Sequence, residues 1–78
     1  MKYNLSIKAD KENLKKVRNF LGEVFSELRV SAIEANQLIL VVDEILANLI
    51  IHSAKNNSKK DIDISISEEA GEITFEIY

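Results

Sequence analysis

Tyr3, Leu5, Ile7 and Ala9 alternate with Asn4, Ser6 and Lys8, the period-two pattern of a strand with one face in the core. The period changes at Asp10, a residue suited to cap a helix. Leu14, Val17, Phe20, Leu21, Val24, Phe25 and Leu28 follow at spacings of three and four, laying one apolar stripe along a helix. Arg29-Val30 makes a tight connection. Ser31-Ala32-Ile33-Glu34 then reads as a capping box, in which the Ser31 hydroxyl accepts from the Glu34 amide and Glu34 reaches back. A second helix is expected from about Ala32 to Ala54. It is apolar on more than one side, which predicts that it is largely covered.

Lys55-Asn56-Asn57-Ser58-Lys59-Lys60 is a polar, turn-prone loop. Beyond it, Ile62, Ile64 and Ile66 alternate with Asp61, Asp63, Ser65 and Ser67, and Glu72 to Tyr78 alternates in the same way. Glu68-Glu69-Ala70-Gly71 supplies the hairpin turn between them, with Gly71 free to take positive φ. The predicted order is β-α-α-β-β. With no linker or repeat, residues 1–78 form a single domain, an α+β two-layer sandwich with helices on one face of a small sheet. Ile alternating with Asp and Ser sends the other sheet face to water. The final strand runs to the last residue without a polar stop, so the chain reads as an architecture cut partway.

Composition narrows the functional classes. Hydrophobic residues make up 46% and the net charge is only -3, which speaks against disorder and gives no electrostatic reason for a nucleic-acid partner. Cysteine is absent and there is one histidine, leaving few ligands for zinc. The N-terminus lacks the apolar run of a secretory signal. The most apolar stretch, Leu38 to Ile51, is interrupted by Asp43, Glu44 and Asn48, so no membrane span is expected. These features together predict a cytoplasmic protein.

The second helix carries the candidate chemistry. At about 100° per residue, with Glu44 at zero, Gln37 and Lys55 fall near 20°, Asn48 near 40° and His52 near 80°. Leu38, Val42, Ile45, Leu46, Leu49 and Ile50 take the opposite arc, and Asp43 lies outside the polar one. The amide oxygen of Asn48 is a hard donor of the kind Mg²⁺ accepts beside water and phosphate oxygens. One turn away, Glu44 could take a proton from an attacking hydroxyl or water near a held phosphoryl group. His52 and Lys55 could neutralise phosphate charge further along. The same residues also suit an ordinary solvent-facing arc, and spacing alone leaves both readings open.

The run Leu38 to His52, with Glu44-x-x-x-Asn48 followed by an apolar pair and His52, resembles the N-box helix of the GHKL (Bergerat-fold) ATPases. It is most similar to the anti-sigma-factor serine kinases. The surrounding strand, amphipathic helix, polar loop and hairpin extend the resemblance over essentially the whole chain. It implies the N-terminal half of a Bergerat ATP-binding fold whose cofactors are ATP and Mg²⁺. By position, Asn48 matches the family's Mg²⁺-binding asparagine and Glu44 its general base. His52 falls at a position often basic or polar in that helix, and Lys55 is a weaker nucleotide-binding candidate.

The resemblance also implies an ATP-dependent serine/threonine protein kinase as parent, with a sigma factor and an anti-sigma-factor antagonist as its protein partners. Two alternatives are the ATPase domain of a histidine kinase and a non-catalytic interaction module. One departure from the pattern matters. The Asp-x-Gly segment that recognises adenine in the family, and the glycine-rich segments after it, are not among these 78 residues. The chain as given is therefore expected to be inactive and to bind ATP poorly alone. Uncovered sheet edge and apolar surface predict a homodimer or an exchange of elements.

Overall fold

In the computed structural model, which describes residues 1–55 and 61–78, the elements follow the predicted order. Strand β1 (Lys2–Lys8) leads through a 3-10 turn, Lys11–Asn13, into α1 (Leu14–Glu27). Helix α2 (Ala32–Lys55), β2 (Asp61–Glu69) and β3 (Glu72–Ile77) complete the chain. The expected loop after Lys55 lies outside the described residues, as do the side chains of Ala54 and Lys55. The sheet order is β1-β2-β3, antiparallel throughout, with Leu5 opposite Ile64 and Ile66 opposite Phe75. The α+β two-layer sandwich holds as expected.

Each boundary has a local cause. The Asp10 carboxylate accepts from the Glu12 amide, and the Asn13 side-chain amide donates to the Lys8 carbonyl, so the chain enters α1 through a 3-10 turn instead of directly. Helix α1 ends in a Schellman arrangement: Val30 N donates to the Phe25 carbonyl at 2.9 Å and Arg29 N to that of Ser26 at 3.2 Å. That turn needs a left-handed residue, and Arg29 supplies it at φ 58. Ser31 Oγ accepts from the Glu34 amide at 3.2 Å, starting α2 as the capping pattern predicts. The hairpin turns at Ala70 (φ 52) and Gly71 (φ 85), two successive left-handed residues as a type I′ turn requires.

One core holds the two layers together. Ile7, Ile62, Ile64 and Ile66 rise from the sheet to meet Val17, Leu21, Val24 and Phe25 of α1 and Val42, Leu46 and Ile50 of α2. Phe25 meets Phe75 edge to face, with centroids 5.7 Å apart. Polar ties at the rim join sheet to helix and strand to strand. Tyr3 donates to Glu27 at 2.7 Å, and Lys8 pairs with Asp61 at 2.8 Å.

The expectation that α2 is largely covered is not met. Val42, Leu46 and Ile50 are buried, but Ile33, Leu40, Val41, Ile45, Leu49 and Ile51 are all exposed. With α1 and the sheet on the same side, nothing among the described residues overlies the opposite arc. Ile45 and Leu49, placed with the inward residues by the periodicity, thus lie on the rim. The prediction about membrane spans also needs correction. Ala32–Ser53 is long and apolar enough, by length and composition alone, to cross a membrane. It carries Asp43 and Glu44 at its middle and delivers Val42, Leu46 and Ile50 to the core.

Candidate functional site

Helix α2 reaches the site because of what anchors its other side. Val42, Leu46 and Ile50 recur at i, i+4 and i+8 and are drawn into the core, which fixes the helix's rotation about its own axis. Asp43 adds a second restraint. Its carboxylate takes a forked pair from Arg18 of α1, Nε to Oδ1 at 2.8 Å and Nη2 to Oδ2 at 3.1 Å. This pair holds the guanidinium more firmly protonated than usual, first through the hydrogen bonds and then through the carboxylate's charge. Asp43 therefore joins helix to helix, which explains its place outside the polar arc.

With that rotation set, Glu44, Asn48 and His52 share the open side, and each is exposed. Side chains at i and i+4 on a helix sit about 5–6 Å apart at Cβ, so Glu44 and Asn48 can address one ligand together. Lys55 closes the helix, and the position of its side chain lies outside the described residues. Gln37, the remaining member of the arc, is also exposed, about two turns before Glu44.

The surroundings of this stripe went unforeseen in the sequence. Leu40 and Ile51 lie along one shoulder of it, and Val41, Ile45 and Leu49 run along and beside the other. Their exposures range from 40 to 69%. Carboxylate and amide thus sit in a band of apolar surface rather than on a uniformly hydrated face. The apolar excess of α2 was visible in the sequence, but it was assigned to burial.

The donor set can be tested against the implied groups. Among the described residues no group of three His, Cys, Asp or Glu could hold a metal ion. That excludes a dedicated all-protein cage there, but not the habit of Mg²⁺, which is bound through one or two oxygen ligands while keeping water and phosphate oxygens. Asn48 and Glu44 fit that habit. Open depressions lie over the outer face of α1 (Arg18, Gly22, Ser26), over the outer sheet face (Asn4, Ser65, Glu76) and beside Met1 and Glu68. None of these three touches Glu44 or Asn48.

A strand-helix-helix-hairpin sandwich that turns a Glu-x-x-x-Asn helix to the open is consistent with part of a GHKL-type ATPase fold. The chain belongs to the histidine kinase-like ATPase domain family, which it matches over residues 7–78. The match takes in α1, α2, β2 and β3, including the helix bearing Glu44 and Asn48, but only the last two residues of β1. Domains of this family bind ATP, generally with Mg²⁺. No curated protein matches the chain.

Proposed function

We propose that this chain is the Mg²⁺-binding half of an ATP-dependent regulatory serine kinase of the anti-sigma-factor type. The observation that carries the reading is the exposure of Glu44 and Asn48, one turn apart on a helix whose opposite side is anchored in the core. Asn48 is the metal ligand, through its amide oxygen. Bound Mg²⁺ would neutralise phosphate charge and hold the phosphates in place. Glu44 takes the proton of a serine hydroxyl as that oxygen bonds to the γ-phosphorus of ATP and the bond to ADP breaks. His52, one turn beyond Asn48, and Lys55, at the end of the helix, would neutralise phosphate charge.

The phosphoacceptor in this reading is the serine of an anti-sigma-factor antagonist, and the second protein partner is a sigma factor in the cytoplasm. The Asp-x-Gly segment that recognises adenine in the family this reading invokes is not among these 78 residues. Nucleotide affinity of the 78-residue chain is correspondingly weak.

The test is an amide-resolved NMR titration with ATP, with and without Mg²⁺. Shifts should centre on residues 44–52, require Mg²⁺, fail to saturate at micromolar nucleotide and vanish in Asn48→Ala. Binding in the low micromolar range would overturn the account of adenine recognition. Shifts centred elsewhere, or indifferent to Asn48→Ala, would overturn the site. In a polypeptide extended through an Asp-x-Gly segment, Glu44→Gln should lower serine phosphorylation about 10²–10⁴-fold while ATP still binds.

A further inference from the structure

We infer that the Arg18–Asp43 pair selects which of two matched apolar stripes α2 turns to the core, which makes Arg18 a positioning residue for Glu44 and Asn48. The stripe that faces inward is Val42, Leu46 and Ile50, each at most 8% exposed. One residue back along the helix run Val41, Ile45 and Leu49, 40–55% exposed. Both stripes recur at i, i+4 and i+8, and each holds one valine, one leucine and one isoleucine. The gain from apolar burial follows area, so two stripes of the same composition gain nearly the same from the core. Burial anchors the helix once one stripe is inside, but it does not choose between them.

A turn of about 100° exchanges the stripes by moving each residue into the place of the next. Asp43, Ala47 and Ile51 would then stand where Glu44, Asn48 and His52 now stand. The open side would keep a carboxylate and lose its amide. At the ends of α2 the exchange is opposed by polarity. It would carry Glu34 into the place of half-buried Ala35, and His52 into that of buried Ser53. Over residues 41–50 the polar contact that opposes it is the fork between Arg18 and Asp43. The Asp43 side chain is 27% exposed, and on exchange it would leave the guanidinium facing Val42.

Arg18 is a firm reference for this choice. Helix α1 has one apolar stripe, and Val17 and Leu21 beside Arg18 are at most 1% exposed. A forked pair holds both carboxylate oxygens in one geometry, which a rotated Asp43 could not keep. Fixing register among apolar alternatives is also the best-attested structural use of a partly buried polar group. The consequence for Mg²⁺ rests on reading Asn48 as its ligand, whereas the choice of stripe stands apart from that reading.

Methyl-resolved NMR of the 78-residue chain tests the inference. In the wild-type chain, NOEs to the core side chains of Leu21, Phe25 and Ile64 should come from Val42, Leu46 and Ile50. In Arg18→Gln, residues 41–50 should show millisecond exchange or a second set of NOEs from Ile45 and Leu49. The Mg²⁺-dependent ATP shifts at residues 44–52 should weaken about twofold or more, by the fraction of the helix turned away. Adding Ile45→Gln should restore both the NOEs and the shifts, because a polar residue in the rival stripe removes the competition. An ion pair that only added stability would not be rescued by a second substitution on the surface.

Circular dichroism checks that each variant folds. Should Arg18→Gln alone fail to fold, the Arg18→Gln/Ile45→Gln chain is still expected to fold with the wild-type NOEs, and its failure would overturn the inference. Wild-type NOEs unchanged in Arg18→Gln would overturn it too, as would a double variant no nearer the wild type than the single one. If the wild-type chain shows no Mg²⁺-dependent shifts at 44–52 while Arg18→Gln changes the NOEs, the site reading fails and the choice of stripe stands. Site shifts and NOEs both indifferent to Arg18→Gln would leave the site and remove the role of Arg18.

Discussion

Three neighbouring substitutions on α2 should separate its two sides by free energy. Leu46 is fully buried, in one cluster with Val17, Leu21, Phe25 and Ile64. Truncating such a leucine to alanine removes its transfer free energy and leaves a cavity, at about 3–5 kcal/mol. A 78-residue domain has roughly 4–12 kcal/mol of stability in all. Leu46→Ala should therefore remove a large fraction of it and lower the melting temperature by about 12 °C or more. Ile45, the adjacent residue, is 43% exposed, and alanine is the better helix former. Its truncation should change stability by no more than about 1 kcal/mol. Asn48→Ala replaces an exposed amide with the best helix former and should be neutral or stabilising by up to about 0.5 kcal/mol. The assay is urea unfolding followed by circular dichroism at about 1 µM, where self-association is dilute. Equal losses for Leu46→Ala and Ile45→Ala would refute the assignment of faces. A loss above about 1 kcal/mol for Asn48→Ala would make that residue structural and remove the reason to read it as a site.

Other expectations follow from the backbone and the charges. Ala70 holds the first position of the hairpin turn at φ 52, a conformation costing a non-glycine residue about 1–2 kcal/mol. Asparagine tolerates it better, so Ala70→Asn should raise the melting temperature by several degrees, and Gly71→Ala should lower it. Gly22 lies inside α1, and a methyl group there would touch nothing within 4 Å. Gly22→Ala should therefore stabilise by about 0.5–1 kcal/mol in thermal unfolding. Tyr3 is raised above its ordinary pKa by its hydrogen bond to Glu27, then by desolvation and nearby acid charge. Lys8 is raised by its hydrogen bond to Asp61 and then by the charge. Groups raised in the folded state contribute fully below their unfolded values, near 10, and lose that contribution as pH climbs through the folded ones. Unfolding midpoints should thus fall as pH rises above about 10, less steeply in Tyr3→Phe.

The fold was largely legible because its signals are local. Alternation at Tyr3, Leu5 and Ile7, the Ser31–Glu34 cap and the turn at Gly71 each need only a few neighbouring residues to act, and each stands where it was expected. What escaped the sequence depends on partners far along the chain. Arg18 and Asp43 are 25 positions apart, and neither residue reveals the other in advance. The rotation of α2 was misjudged at Ile45 and Leu49 because periodicity measures how apolar a face is, not what stands opposite it. For the site, Glu44, Asn48 and His52 could be found by spacing, and the resemblance gave them roles. The apolar band around them became visible only once α1 and the sheet were seen to share one side of α2.

The pairing of β1 with β2 sets a schedule for making this protein. Ile7 meets Ile62, so the first strand waits for a partner about 55 residues downstream. At roughly 5–20 residues per second of synthesis, that interval is about 3–11 seconds. Through it, Tyr3, Leu5 and Ile7 have only the forming helices α1 and α2 to shelter against. The β2–β3 hairpin, by contrast, closes within its own two-residue turn, and β2 is the strand both edges need. Assembly at the ribosome therefore runs opposite to the order of the sequence, the first strand joining the sheet only after the middle strand has been made.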